Sequence, residues 1–165
     1  MADVTLRLAA VGDAEAIRAI YNREVSGSTV TFDLVPRTSE EQREWLAEHG
    51  GAHPAIVALD AAGDVVGFGS LSPYRPRPAY ATSVEDSVYV HHERRGQHIG
   101  RLLLEELVRV GRTHGFHTVI ARIVGDHNAS IGLHQACGFE VVGREREIGR
   151  KFGRWLDVVL MQRML

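Results

Sequence analysis

The amino-acid sequence predicts an α/β (α+β) domain, a mixed sheet with helices on both faces. Three observations support this. Apolar residues alternate with a period of two in some segments and recur at intervals of three and four in others, in the order β–α–α–β–β–β–α–β–α–β–β. Residues 84–104 join a strand pattern to a helix pattern through a short, basic, glycine-containing loop. The length, 165 residues of which 44% are hydrophobic, suits one domain spanning 1–165, and a chain of that size buries roughly 70% of its unfolded surface.

In chain order, Val4-Thr5-Leu6-Arg7-Leu8 alternates as a first strand. Asp13 stands where it would cap a helix that carries Ala16, Ile17, Ile20 and Tyr21 at helical spacing and ends near Val25. Ser26-Gly27-Ser28 breaks that pattern, and Val30-Thr31-Phe32 is a short extended piece. Thr38 and Glu41 have the spacing of a capping box, each side chain serving the other's backbone N–H, ahead of a helix through Trp45 and Leu46 that Gly50-Gly51 stops. Residues 55–59 and 65–71, joined by a turn at 60–64, form a hairpin of two buried strands, and residues 84–90 join them.

On this last strand Val84, Asp86, Val88 and Val90 share one face, while Glu85, Ser87 and Tyr89 share the other. Ile99, Leu102, Leu103, Leu107 and Val110 then give one apolar stripe to a helix that begins near Gly100 and ends at Gly115. Residues 118–124 are a strand, Asn128 is placed to cap a short helix that stops at Gly138, residues 139–142 restart a strand, and residues 155–164 form the last one.

A formal charge of −2, with acids and bases interspersed, gives no reason to expect a nucleic-acid or membrane-surface partner. No apolar run approaches the roughly 20 residues of a membrane span, and Met1-Ala2-Asp3-Val4 lacks the basic and apolar regions of a secretion signal, so a cytoplasmic protein is expected. Cys137 is the only cysteine, which excludes an internal disulfide and a CxxC pair and points to a core thiol. The nine histidines include adjacent His91 and His92, which cannot both face inward on a strand, and show no HExxH spacing, so no metal is expected.

The junction at 91–99 has the chemistry of an anion site. A helix start exposes unpaired N–H groups and the positive end of the macrodipole, here with Arg94, Arg95 and Arg101 beside it. Gly96 and Gly100 would let the backbone approach an anionic group closely. The same composition also suits an ordinary strand-to-helix connection, and the loop alone does not decide between them.

Residues 88–104, together with Asn128-Ala129-Ser130-Ile131-Gly132-Leu133-His134-Gln135-Ala136-Cys137-Gly138-Phe139, resemble the GNAT superfamily of acetyl-coenzyme A-dependent N-acetyltransferases, and the resemblance spans the chain. Within it the chain is most similar to the phosphinothricin and methionine sulfoximine acetyltransferases, through Ser28-Thr29-Val30-Thr31-Phe32, Val84-Glu85-Asp86-Ser87-Val88-Tyr89-Val90 and Lys151-Phe152-Gly153-Arg154-Trp155-Leu156-Asp157. The resemblance implies the GNAT fold, a central mixed, mostly antiparallel twisted sheet. It also implies acetyl-CoA as co-substrate, a small-molecule amine as acceptor, and a homodimer.

The same resemblance implies residue roles. The superfamily's pyrophosphate loop maps onto Arg95, Gly96, Gln97, His98, Ile99 and Gly100, with His98 standing where the family has its middle glycine. Val88, Tyr89 and Val90 would pair with the pantetheine amides as a peptide adds to a sheet, and Asn128 and Ser130 would contact the far side of the thioester arm. Glu85 stands at the family's acidic general base, and the Val90 N–H would bind the oxyanion. His134 replaces a tyrosine that gives coenzyme A its proton, or is simply a satisfied polar group near the core. Tyr74, Arg75, Arg77 and Tyr80, with Phe32, would hold the acceptor, guanidinium forks for its anionic oxygens and rings for its apolar chain; Arg154, Trp155 and Asp157 would help shape that pocket, either from the last strand or from a second subunit. Ser130 and Cys137 lack the pattern of a catalytic triad, so direct transfer is expected. Two other readings remain: transfer to another small amine or a protein N-terminus, and a non-catalytic acyl-CoA sensor.

Overall fold

A computed structural model describes residues 3–165; the beginning of the chain, Met1-Ala2, on which part of the leader reading rests, lies outside the described residues. Among the described residues seven strands form one sheet: β1 (Thr5–Leu8), β2 (Ala55–Leu59), β3 (Val65–Pro73), β4 (Ser83–Val90), β5 (Thr118–Val124), β6 (Glu140–Lys151) and β7 (Arg154–Met164). Their order across the sheet is β1-β2-β3-β4-β5-β7-β6. Every pairing is antiparallel except β4 with β5, so the sheet is mixed and mostly antiparallel, as expected. The helices are α1 (Ala14–Gly27), α2 (Ser39–Glu48), α3 (Ile99–Thr113) and α4 (Asn128–Ala136). Among the described residues no helix is long and apolar enough to cross a membrane.

Strand periodicity decides which face each helix covers. The even positions of β4 face α3: Val84 is buried with Leu103, Leu104 and Leu107 in one cluster, and Val88 and Val90 pack against it. Each such leucine, fully buried, stabilises the fold by roughly 1.5–3 kcal/mol. The odd positions face α1 and α2, where Tyr89 stacks on Phe68 at 5.2 Å and meets Tyr21 edge-on. Gly67 and Gly69 of β3 have no room for side chains, because a Cβ at Gly69 would lie 2.9 Å from Leu107. That close approach seats α3 on the sheet.

Several local expectations need correction. Thr38 and Glu41 do form a capping box, at 3.2 and 2.8 Å, but Asp13 does not cap α1. It lies in a short 3-10 turn, where its carboxylate binds Arg7 and the Ala10 N–H. Asn128 is the first residue of α4, and its side chain does not cap that helix. Residues 30–32 are irregular, held by side chains: Thr31 accepts at its carbonyl from buried Lys151 at 2.9 Å. In α3 Leu104 enters the core where Leu102 was expected.

β6 is far longer than the four residues expected. Its continuation, Gly143 to Lys151, has no apolar alternation, yet it pairs with β7 through the turn Phe152-Gly153. Both turn residues have positive φ, 51° and 73°, which matches the twist of a two-residue hairpin. The motif that resembles the phosphinothricin enzymes is thus a hairpin tip.

Candidate active site

β4 and β5 part company in mid-sheet. They are paired at Ser83, Val84 and Glu85 only, after which β5 follows β7 and the edge of Asp86 to Val90 loses its neighbour on that side. The His91 N–H donates to the Val66 carbonyl of β3 at 2.8 Å. Because successive residues of a strand direct their amides to opposite sides, the Val90, Val88 and Asp86 amides face the gap. A cleft of about 880 Å³ opens there, between β4, β5 and the first turns of α3 and α4.

The loop that closes one end is shaped for an anion. Gly96 has φ +75° and His98 has φ +63°, so His98 takes the left-handed conformation natural to the glycine it replaces; histidine is among the residues that tolerate it. Its side chain is exposed at the cleft. Gly100 lets α3 start close to its neighbours, since a Cβ there would meet Leu133 at 3.3 Å and Val90 at 3.7 Å. Among the described residues no backbone hydrogen bond uses the N–H groups of 96–100. Five free amides at a helix start are the chemistry of a phosphate cradle.

The arginines are less free than the sequence suggested. Arg94 binds Asp60 at 2.8 Å, Arg101 binds Glu105 at 2.8 Å, and Arg95 binds Glu24, a buried carboxylate of α1. Glu24 also accepts from the Ser28 hydroxyl at 2.7 Å. Arg95 therefore ties the anion loop to the segment that leads into Phe32.

At the other end stands Glu85. Its side chain is half-buried, and burial pushes its pKa above the usual carboxylate range, opposed by Arg122 and raised further by Asp86. No hydrogen bond contributes to that balance. Such a carboxylate is poised to accept a proton. Arg122 and Phe32 line the cleft beside it. Phe32 lies against Gly149 of β6, where an added Cβ would come within 2.3 Å of its ring.

On the opposite face of β4, His134 of α4 is buried against Asp86. Its Nε2 lies 3.0 Å from Asp86 Oδ2 and its Nδ1 lies 2.8 Å from the Ser130 carbonyl. Burial pulls the imidazole's pKa down, but the hydrogen bond and charge of Asp86, with the Ser130 carbonyl, outweigh it and hold the pKa above the ordinary value. Cys137 is a core thiol.

Of the residues singled out from the sequence, Glu85, Val88, Tyr89, Val90, Arg95, Gly96, His98, Ile99, Gly100, Ser130, His134 and Phe32 line one cleft. Gln97 and Asn128 do not. Tyr74, Arg75, Arg77 and Tyr80 form a rim loop outside it: the two tyrosines meet edge-on at 5.5 Å and Arg75 lies over Tyr74. Arg154 and Asp157 bind Asp126 and Arg144, and with Trp155 stay off the cleft. Sequence reasoning missed Arg122, although a lone charge in the apolar run Thr118-Val119-Ile120-Ala121-Arg122-Ile123-Val124 was a readable signal. Among the described residues no group of three metal-ligating side chains forms.

A profile of the acetyltransferase (GNAT) domain matches residues 6–160. The chain is 40% identical, over 96% of its length and 92% of the relative's, to the L-methionine sulfoximine/L-methionine sulfone acetyltransferase of Pseudomonas paraeruginosa. It is 41% identical, over 99% of its length and 98% of the relative's, to the phosphinothricin N-acetyltransferase of Streptomyces coelicolor. It superposes at a TM-score of 0.94 and 42% identity on a GNAT superfamily phosphinothricin acetyltransferase from Sinorhizobium meliloti in complex with AcCoA, covering 98% of this chain and 88% of that one. Parted strands, an amide cradle and relatives alike from end to end have one meaning: the chain belongs to the GNAT acetyltransferases and is an N-acetyltransferase.

Proposed function

We propose that the protein transfers the acetyl group of acetyl-CoA to the α-amine of a small amino-acid-like molecule of the methionine sulfoximine, methionine sulfone or phosphinothricin type. The reaction is a direct attack with Glu85 as general base. The observation that carries this reading is a half-buried carboxylate with a raised pKa and, among the described residues, no hydrogen-bond partner, on the strand whose neighbouring edge lies open.

Acetyl-CoA supplies an activated acetyl group. The amides of 96–100 hold its diphosphate, and the open edge of Val88 and Val90 aligns the thioester arm with Ser130 across from it. Glu85 takes the proton of the attacking amine, the Val90 N–H stabilises the negative oxygen, and His134 supplies a proton for the departing sulfur. Phe32 walls the acceptor's apolar chain. Arg122, beside Glu85, and Arg75, whose charge also reaches Glu85, attract the acceptor's anionic oxygens. Arg77, Tyr74 and Tyr80 act from the rim.

Coenzyme A release measured over a panel of amino-acid analogues tests the reading. Turnover confined to amino-acid-like amines supports it; tight donor binding without turnover on any amine would replace it with the sensor. Glu85→Gln should lower kcat at neutral pH by roughly 10²- to 10⁴-fold while acetyl-CoA affinity stays within about twofold. The acid limb of the native enzyme follows from the sign of the shift. Below its raised pKa Glu85 is protonated and cannot accept a proton, so turnover falls as pH drops through a value above ordinary glutamate. In the window between ordinary and raised pKa the folded state binds the extra proton, so stability declines there as pH rises. Glu85→Gln should flatten that decline.

The working unit is a homodimer in this reading. β6 is an unpaired sheet edge, and Val141, Val142, Ile148, Phe152, Trp155 and Met164 are exposed on β6, β7 and their turn. Light scattering should give twice the chain mass, falling toward one on Val142→Glu.

A further inference from the structure

The Asp86–His134 pair is more than core packing. Its side chains are 2% and 5% exposed, and both residues line the cleft on the α3 and α4 side of β4. The Ser130 carbonyl only accepts hydrogen bonds, so His134 Nδ1 carries a hydrogen. With Nδ1 so protonated, the 3.0 Å approach of Nε2 to Asp86 Oδ2 calls for a further proton between them, since a bare nitrogen lone pair would repel the carboxylate. Phe139 meets the imidazole edge-on at 5.0 Å and fixes its plane. Asp86 Oδ1 is buried with no hydrogen-bond partner among the described residues, an arrangement that packing alone does not favour. A carboxylate on the apolar face of a strand therefore needs a purpose.

We propose that Asp86 is a positioning residue for acetyl transfer, holding His134 doubly protonated at the cleft so that it can give a proton to the leaving sulfur. This rests on the acetyl-transfer reading. The amine nitrogen forms a bond to the acetyl carbon as the carbon–sulfur bond breaks. Glu85 receives the amine proton, the proton held between His134 Nε2 and Asp86 Oδ2 passes to the thiolate, and the pair is left as neutral imidazole, still bonded through Nδ1 to the Ser130 carbonyl, beside carboxylate. Proton exchange with solvent resets both groups after release.

Few other ionisable groups reach the pair. Glu85 adjoins Asp86 on β4, His127 precedes α4, and Cys137 follows it. Arg101 and Glu105 of α3 and Arg163 of β7 lie around Cys137. Asp86 alone among them hydrogen-bonds the imidazole, so its charge governs the ring's proton.

The test is Asp86→Asn, close in shape and uncharged, read by the pH profile of kcat and by NMR titration of the His134 ring nitrogens. The alkaline limb of kcat and the His134 midpoint should both move to lower pH by about one unit or more, so that the loss of turnover grows with pH. Slowing by one constant factor at every pH, with an unmoved His134 midpoint, would overturn the proposal and leave Asp86 a packing residue. Should Asp86→Asn not fold, the unaltered protein decides: a His134 midpoint above about 6.5 supports the pair and one below it overturns it. Failure of the acetyl-transfer reading looks different, because the unaltered protein would then release no coenzyme A with any amine, whatever its His134 midpoint.

Discussion

The two ends of the cleft are built by different means. In the proposed reading the donor end is made of backbone, the free amides of 96–100 and the open edge of β4, all within 15 consecutive residues. The acceptor end of that reading is made of side chains brought from far apart: Phe32 from the irregular segment after α1, Glu85 from β4, and Arg122 from β5, all of which line the cleft. Gly149 of β6 adds the space that Phe32 occupies. Backbone recognition tolerates sequence change as long as the chain keeps its path, whereas side-chain recognition depends on which residue each distant segment delivers. The donor end therefore suits a substrate shared by a superfamily, and the acceptor end suits one that differs among its members.

Three substitutions sharpen that contrast. Gly100→Leu should have the largest effect, because a side chain there drives α3 away from Leu133 and Val90; acetyl-CoA affinity, measured by calorimetry, should fall by roughly 100-fold, about 2.7 kcal/mol. Gly149→Ala should act on the other end alone. Its Cβ displaces the Phe32 ring, so the KM for the amine should rise about tenfold, near 1.4 kcal/mol, with donor affinity unchanged. Losses of equal size for both ligands would show that the two ends are one site. His98→Gly should be the mildest. A left-handed non-glycine residue costs about 1–2 kcal/mol and glycine gives back roughly 0.5–1 of it in unfolded-chain entropy. A net gain of up to about 1 kcal/mol in urea denaturation, with donor binding kept, is the expected result.

The same contrast explains what the sequence could show. The strand–loop–helix at the donor end is local, so spacing exposed it, and even the His98 departure left its path intact. Asp86 and Arg122 each stood as a charge among apolar neighbours on a strand, a signal visible in the sequence but without a partner to interpret it. His134 lies 48 residues from Asp86, and no periodicity reports such a distance. β6 escaped because its residues 143–150 are mostly polar or charged and it is held by its ladder with β7 rather than by an apolar face. The rim loop of Tyr74 to Tyr80 carries the right chemistry for an acceptor, yet β3 and β4 deliver it beside the cleft rather than into it.

In the proposed reading the open edge of β4 and the amides of 96–100 hold the acyl donor. Amide hydrogen exchange with and without acetyl-CoA tests it residue by residue. Binding should slow exchange at Val88, Val90 and 96–100, with Glu85, Ser87 and Tyr89, whose amides face β3, changing little. Tight binding that left those cleft-facing amides exchanging as before, with protection appearing elsewhere, would contradict it.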